Sequence, residues 1–231
     1  MQPLEQIQVL EIGSGDCVAA VGAVLSDLGA DVVKLVWQPD ADSDLQQRLH
    51  NRGKTLIEID ATLPRLVALL ARADVVVTDL DAARLTDLAL TREVIEQRFP
   101  QLIHAHVTPF GSDYAGPTVA EDAAFFTRAG TTGLMMSTRP LNFGAGQAAR
   151  SAAFAVCTAI LAALRYRERT GRVTAVDSSL LAAGSYSIAN DVTVVRGSGA
   201  QPSRYDRTEP LNALGNSYCC ADDRWLLLGA A

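Results

Sequence analysis

The sequence predicts an α/β fold, a Rossmann-like, doubly wound and mainly parallel sheet with helices on both faces. Short continuous apolar runs, the pattern of strands buried on both faces, alternate with helical stretches at the spacing of βαβ units. The stretch 148–180 then joins a long Ala- and Leu-rich helix, a glycine stop and a short strand, the repeating step of a parallel sheet.

The elements follow in order. Residues 7–12 form an apolar strand that ends at Gly13-Ser14-Gly15. Asp16 is placed to cap a helix that runs to Leu28 and stops at Gly29. Strands are predicted over 31–37, 55–59, 73–77 and 102–107, with helices over 63–72 and 91–99 between them. A polar loop spans 38–44, and Asn51-Arg52-Gly53-Lys54 forms a turn. A short helix is expected near 121–128. The helix from Ala148 to Arg165 has no Gly or Pro and is apolar around its axis, which predicts an interior position. Arg165, Arg167 and Arg169 suit the negative end of its dipole, and Gly171 suits a left-handed C-cap. A strand over 173–177 and a helix over 178–195 complete the unit. The domain boundary is set at 195. Residues 196–231 read as a linker and the start of a second, incomplete domain, with a hairpin over 218–228.

Length and composition restrict the function classes. A chain of 231 residues with 48% apolar content can bury a full core. The net charge is −6 and no Lys/Arg cluster marks a nucleic-acid face. No basic leader and no membrane-length apolar run is read, so a cytoplasmic protein with no membrane partner is expected. Cys17, Cys157, Cys219 and Cys220 lack metal-ligand spacing and are expected reduced.

Gly13-Ser14-Gly15 begins a dinucleotide fingerprint, but Val18 stands at the third glycine. Val36, Trp37 and Gln38 occupy the region of the ribose-binding acid, so NAD is disfavoured against a tight βα turn. His104 and His106 share one strand face, yet no third ligand follows, and no metal is assigned. His50 is the other histidine. The adjacent carboxylates Glu121 and Asp122 suit acid/base work, or simply a helix start.

Several motifs together resemble the class III CoA-transferases, the carnitine dehydratase/bile-acid-inducible family that includes α-methylacyl-CoA racemases. They are Val9-Leu10-Glu11, Asp27-Leu28-Gly29-Ala30-Asp31-Val32-Val33-Lys34, Asn51-Arg52-Gly53-Lys54 and Ala73-Asp74-Val75. Further on come Phe110-Gly111, Gly116-Pro117, Ile160-Leu161-Ala162-Ala163-Leu164, Arg167-Glu168-Arg169-Thr170-Gly171-Arg172 and Asp222-Asp223-Arg224-Trp225. The resemblance implies a coenzyme A or acyl-CoA substrate, an interlocked homodimer, and an aspartate that attacks the acyl-CoA carbonyl. A second CoA-transferase domain is the other partner it suggests.

The departures from the family are selective. The resemblance places the nucleophilic Asp at Ala149, or Ala148 with a one-residue shift, and puts Glu121 where racemases carry His. The CoA-contacting loop becomes Asp79-Leu80-Asp81-Ala82-Ala83, and a further arginine becomes Asp87. Exchanging arginine for aspartate reverses the field an anion meets, and one close charge pair is worth about 4 kcal/mol at an effective dielectric of 20. Scaffold positions are kept while chemical ones change. The resemblance therefore implies either a CoA-transferase with Glu121 or Asp122 as substitute carboxylate, or a non-catalytic domain that assembles with an active partner. For CoA it leaves Gly15, Cys17, Lys54 and Arg84 as candidate contacts.

Overall fold

A computed structural model of the chain describes residues 2–37, 45–58, 63–114, 146–187, 189, 197 and 215–229. Six strands form one parallel sheet in the order β3-β2-β1-β4-β5-β6. They are β1 (Gln8–Ile12), β2 (Asp31–Val36), β3 (Thr55–Glu58), β4 (Val75–Thr78), β5 (Ile103–Thr108) and β6 (Val176–Ser179). The order reverses between β1 and β4, whose register pairs Val9 with Val75 and Ile12 with Thr78. The expected doubly wound sheet is therefore present.

Side-chain alternation divides the core in two. Val9, Val75, Val77, Ile103, Ala105 and Val107 face the helices α1 (Asp16–Asp27) and α6 (Gln147–Thr170). Leu10, Ile12, Leu35 and Val76 face the other way, toward α3 (Leu63–Leu70), α4 (Ala82–Asp87) and α5 (Arg92–Arg98). Two further helices are α2 (Leu45–His50) and α7 (Leu180–Ser187). An antiparallel hairpin of β7 (Gly215–Cys219) and β8 (Trp225–Gly229) stands apart from the main sheet.

The α1–α6 contact is built from small side chains. Ala19, Ala20 and Ala23 on one helix, and Ala149, Ala152 and Ala153 on the other, are all buried. Small residues let helix backbones approach closely, so the two helices pack as one slab on the sheet. At its far end Arg167 reaches β4, with Nη2 2.7 Å from Asp74 Oδ1 and Nη1 donating to Gln101 O at 2.7 Å. Gly171 closes α6 in the left-handed region at φ 68°, as expected.

Several expectations need correction. Gly15, not Asp16, is the N-cap of α1, and Asp16 opens the helix. Helices α2 and α4 were not foreseen. The last sheet strand is Val176–Ser179 rather than 173–177, because pairing with Ala105–Thr108 sets its place. Residues 178 and 179 belong to that strand, so α7 starts at Leu180. The long helix is not interior all round. Phe154, Leu161 and Tyr166 are 66%, 38% and 42% exposed. The segment Ala148–Thr170 is also long and apolar enough to cross a membrane, contrary to the sequence reading. Its inner face packs into the core with α1 and the sheet. The helix expected near 121–128 and the end of the one expected to 195 lie outside the described residues.

Candidate functional site

In an open α/β sheet, ligands bind beyond the carboxyl ends of the strands where the strand order reverses. Here that place is the crevice between the ends of β1 and β4. One wall is the Gly13-Ser14-Gly15 loop, which leads into the first turn of α1. The other is Asp79, directly after β4. Asp79 Oδ2 accepts the Gly15 N–H at 2.7 Å. Burial pushes the Asp79 carboxyl up from its ordinary value, while N–H groups of Gly15, Ser14 and Asp79 itself pull it back.

Both glycines are needed for this approach. A Cβ at Gly13 would lie 2.2 Å from Asp79 Oδ1, and one at Gly15 would lie 2.3 Å from Oδ2. Neither residue has a positive φ, so the need is for space rather than conformation.

A rim spans the end of β1. Trp37 follows β2, and Arg84 lies on α4 with its guanidinium 5.2 Å from the centre of the indole ring. This cation–π contact holds an exposed positive charge over the crevice. Asp81 caps α4 by accepting the Arg84 N–H at 2.8 Å.

Beneath α1 lies a buried charge cluster. Glu11 points from β1 to the α1 side and is fully buried. Lys54 Nζ stands 2.6 Å from Glu11 Oε2, and Lys34 Nζ stands 3.3 Å from Oε1. Lys54 also donates to Ala19 O at 2.8 Å, and Lys34 donates to Asn51 Oδ1 at 3.1 Å. Burial pushes the Lys54 ammonium below its usual range, while Glu11 holds it up. Gly22 makes room: a Cβ there would meet Glu11 Oε2 at 2.0 Å. His50 ends α2 beside this cluster, and burial lowers its pKa.

The candidate contacts are thus dispersed. Gly15 lies in the crevice and Arg84 on its rim. The Lys54 side chain has no exposed surface and points at Glu11, so an anion would reach it only if that ion pair opened. The Cys17 thiol is buried and pushed up to about 12 by burial, and Cys157 is raised to about 12 for the same reason. Neither is a thiolate near neutrality. Glu121 and Asp122 lie outside the described residues. Ala149 is 6% exposed in the first turn of α6, and that turn contains no acidic residue.

His104 and His106 stand on the other sheet face with ring centres 5.9 Å apart. They border a cavity of about 390 Å³ with Arg92 and Asp177, which form an ion pair. Among the described residues no group of His, Cys, Asp and Glu is arranged to hold a metal ion.

The sequence puts Asp79 in the altered CoA-contacting loop and Glu11 in a family motif, but does not show that Asp79 meets Gly15 or that Glu11 pairs with Lys54.

A six-stranded parallel sheet with a glycine loop at its reversal point defines a Rossmann-type protein. The sequence matches CoA-transferase family III over residues 4–231, and the chain belongs to that family. It is similar to (R)-2-hydroxy-4-methylpentanoate CoA-transferase of Clostridioides difficile at 26% identity, covering 97% of this chain and 62% of that protein. Succinate–glutarate CoA-transferase of Agrobacterium fabrum is 28% identical, with 90% of this chain and 58% of that protein covered. The crystal structure of a CAIB/BAIF family protein from Brucella suis superposes with a TM-score of 0.85 at 28% identity, covering 98% of this chain and 65% of the other. The chain therefore spans roughly three fifths of the length of these relatives.

Proposed function

We propose that this chain acts in acyl-CoA metabolism as a family III CoA-transferase scaffold whose own long helix supplies no nucleophile. One observation carries the reading: the first turn of α6 holds Ala148 and Ala149, both buried, and no carboxylate. The mechanism implied by the family resemblance needs a carboxylate to attack the thioester carbonyl and hold the acyl group as a mixed anhydride. A methyl group at 149 cannot do this. The attacking carboxylate then comes from elsewhere, on a second CoA-transferase domain or an active partner subunit of different sequence.

In this reading the chain's own contribution is to hold the nucleotide end of CoA. The β1–α1 loop at Gly15 and Cys17 is read as the phosphate end, with the Gly15 N–H held by Asp79 until a ligand takes it, and Arg84 as the guanidinium at the rim. The two CoA-transferases named above have carboxylates in their names, which supports an acceptor of that chemical class.

The test is to incubate the purified chain with succinyl-CoA and a carboxylate acceptor, then treat it with hydroxylamine and locate adducts by mass spectrometry. No adduct is expected on the chain alone. A hydroxylamine-sensitive thioester on Glu121 or Asp122 would replace this reading with that of a self-sufficient transferase.

A further inference from the structure

His104 is 5% exposed on the sheet face away from α1 and α6, and among the described residues neither of its ring nitrogens has a hydrogen-bond partner. Native proteins rarely leave buried polar groups unpaired. The neighbouring His106 is satisfied, with Nε2 3.0 Å from Leu80 O. Both rings line the cavity of about 390 Å³ beside β5 and β6, away from the β1–β4 reversal point. Burial, with smaller effects of His106 and Arg92, lowers the His104 pKa to about 4. The ring is therefore neutral at pH 7 and carries one N–H donor and one bare nitrogen acceptor. Its χ2 torsion is soft, so either nitrogen can turn to a group in the cavity.

The charges around the cavity are already committed. Arg92 of α5 pairs with Asp177 of β6 at the mouth. Glu93 is held by Thr91 and by its own backbone N–H. An anion would meet these two carboxylates, a cation would meet Arg92, and either would leave water for a neutral floor. An uncharged molecule avoids that cost. Leu85, Ala82 and the flat imidazole faces offer an apolar wall, and the volume suits one substituted ring. We propose that this cavity binds a small uncharged ligand of the aromatic carboxamide type, whose hydrogen-bond donor and acceptor satisfy His104. The site stands whether or not the chain binds CoA.

The experiment titrates the full chain with benzamide, benzoate and benzamidine, three probes of one shape that are neutral, anionic and cationic at pH 7. Histidine ring 15N NMR reads the site directly. Benzamide should move the His104 ring nitrogens, leave those of His50 in place, and bind at least tenfold more tightly than either charged probe. H104F keeps a flat ring but loses both nitrogens, so it should lose at least tenfold in benzamide affinity. H104Q keeps a donor and an acceptor and should retain binding. A82W should fill the cavity beside His104 and abolish it. Circular dichroism checks that each variant is folded, and A82W decides if H104F is not. His104 nitrogens unmoved by benzamide, equal affinity for the three probes, or tighter binding of a charged one would overturn the proposal. So would wild-type affinity in folded H104F or in A82W, since the probe would then sit elsewhere.

Discussion

Lys54 Nζ stands 2.6 Å from Glu11 Oε2, and neither side chain has exposed surface. The pair joins the turn before β3 to the middle of β1 beneath α1. Replacing Glu11 by Gln would leave a buried ammonium without its counter-ion. A loss of about 3–5 kcal/mol is expected for Glu11→Gln, read from urea denaturation midpoints. Lys54→Met should cost less, because Lys34 remains 3.3 Å from the carboxylate. Equal losses for the two variants would contradict this account.

Gly22 gives a prediction opposite in sign to helix propensity. Alanine is the better helix former by about 1 kcal/mol. A Cβ at position 22, however, would meet Glu11 Oε2 at 2.0 Å and Lys54 Nζ at 2.9 Å, so the buried ion pair would have to shift to admit it. Gly22→Ala should therefore lower the thermal midpoint. A raised midpoint would show that the ion pair is looser than described.

His104 makes stability pH-dependent. Burial, with smaller effects from His106 and Arg92, lowers its pKa to about 4. The unfolded chain takes up a proton near 6.5 and the native protein does not until about 4. Stability should therefore fall as pH drops through that window, by up to about 3 kcal/mol from this group. His104→Gln should flatten that part of the profile. An unchanged slope would assign the acid sensitivity to other groups.

The thiols should divide cleanly. Cys17 and Cys157 are buried and raised to about 12, whereas Cys219 and Cys220 are exposed. Ellman's reagent should label the latter two in the native protein and all four after denaturation. Rapid native labelling of Cys17 would mean that the α1–α6 slab opens readily.

The sequence made the local features readable. Gly171 marked a C-cap through one backbone angle, and the buried strands marked themselves by unbroken apolar runs. Helices α2 and α4 have six residues each, too few for a periodicity to show. The exposed side of α6 was also hidden, because apolar composition does not say which apolar face finds a neighbour. The candidate site was the least legible part. Gly15 and Asp79 are 64 positions apart, and Glu11 and Lys54 are 43 apart. No spacing rule links residues that meet only after the sheet has closed. The motifs marked Glu11 and Lys54 as family features without showing that they pair.

Trp225, Leu226, Leu227 and Leu228 are 56%, 51%, 73% and 38% exposed on β8, and successive residues point to opposite faces of the hairpin. A two-stranded ribbon with oily side chains on both faces is a template for self-association. Colloidal behaviour of the purified chain should follow from this one strand more than from the net charge of −6. Concentrated samples would be expected to gain weight-average mass in light scattering, and Leu227→Lys to reverse the gain while leaving the parallel sheet untouched.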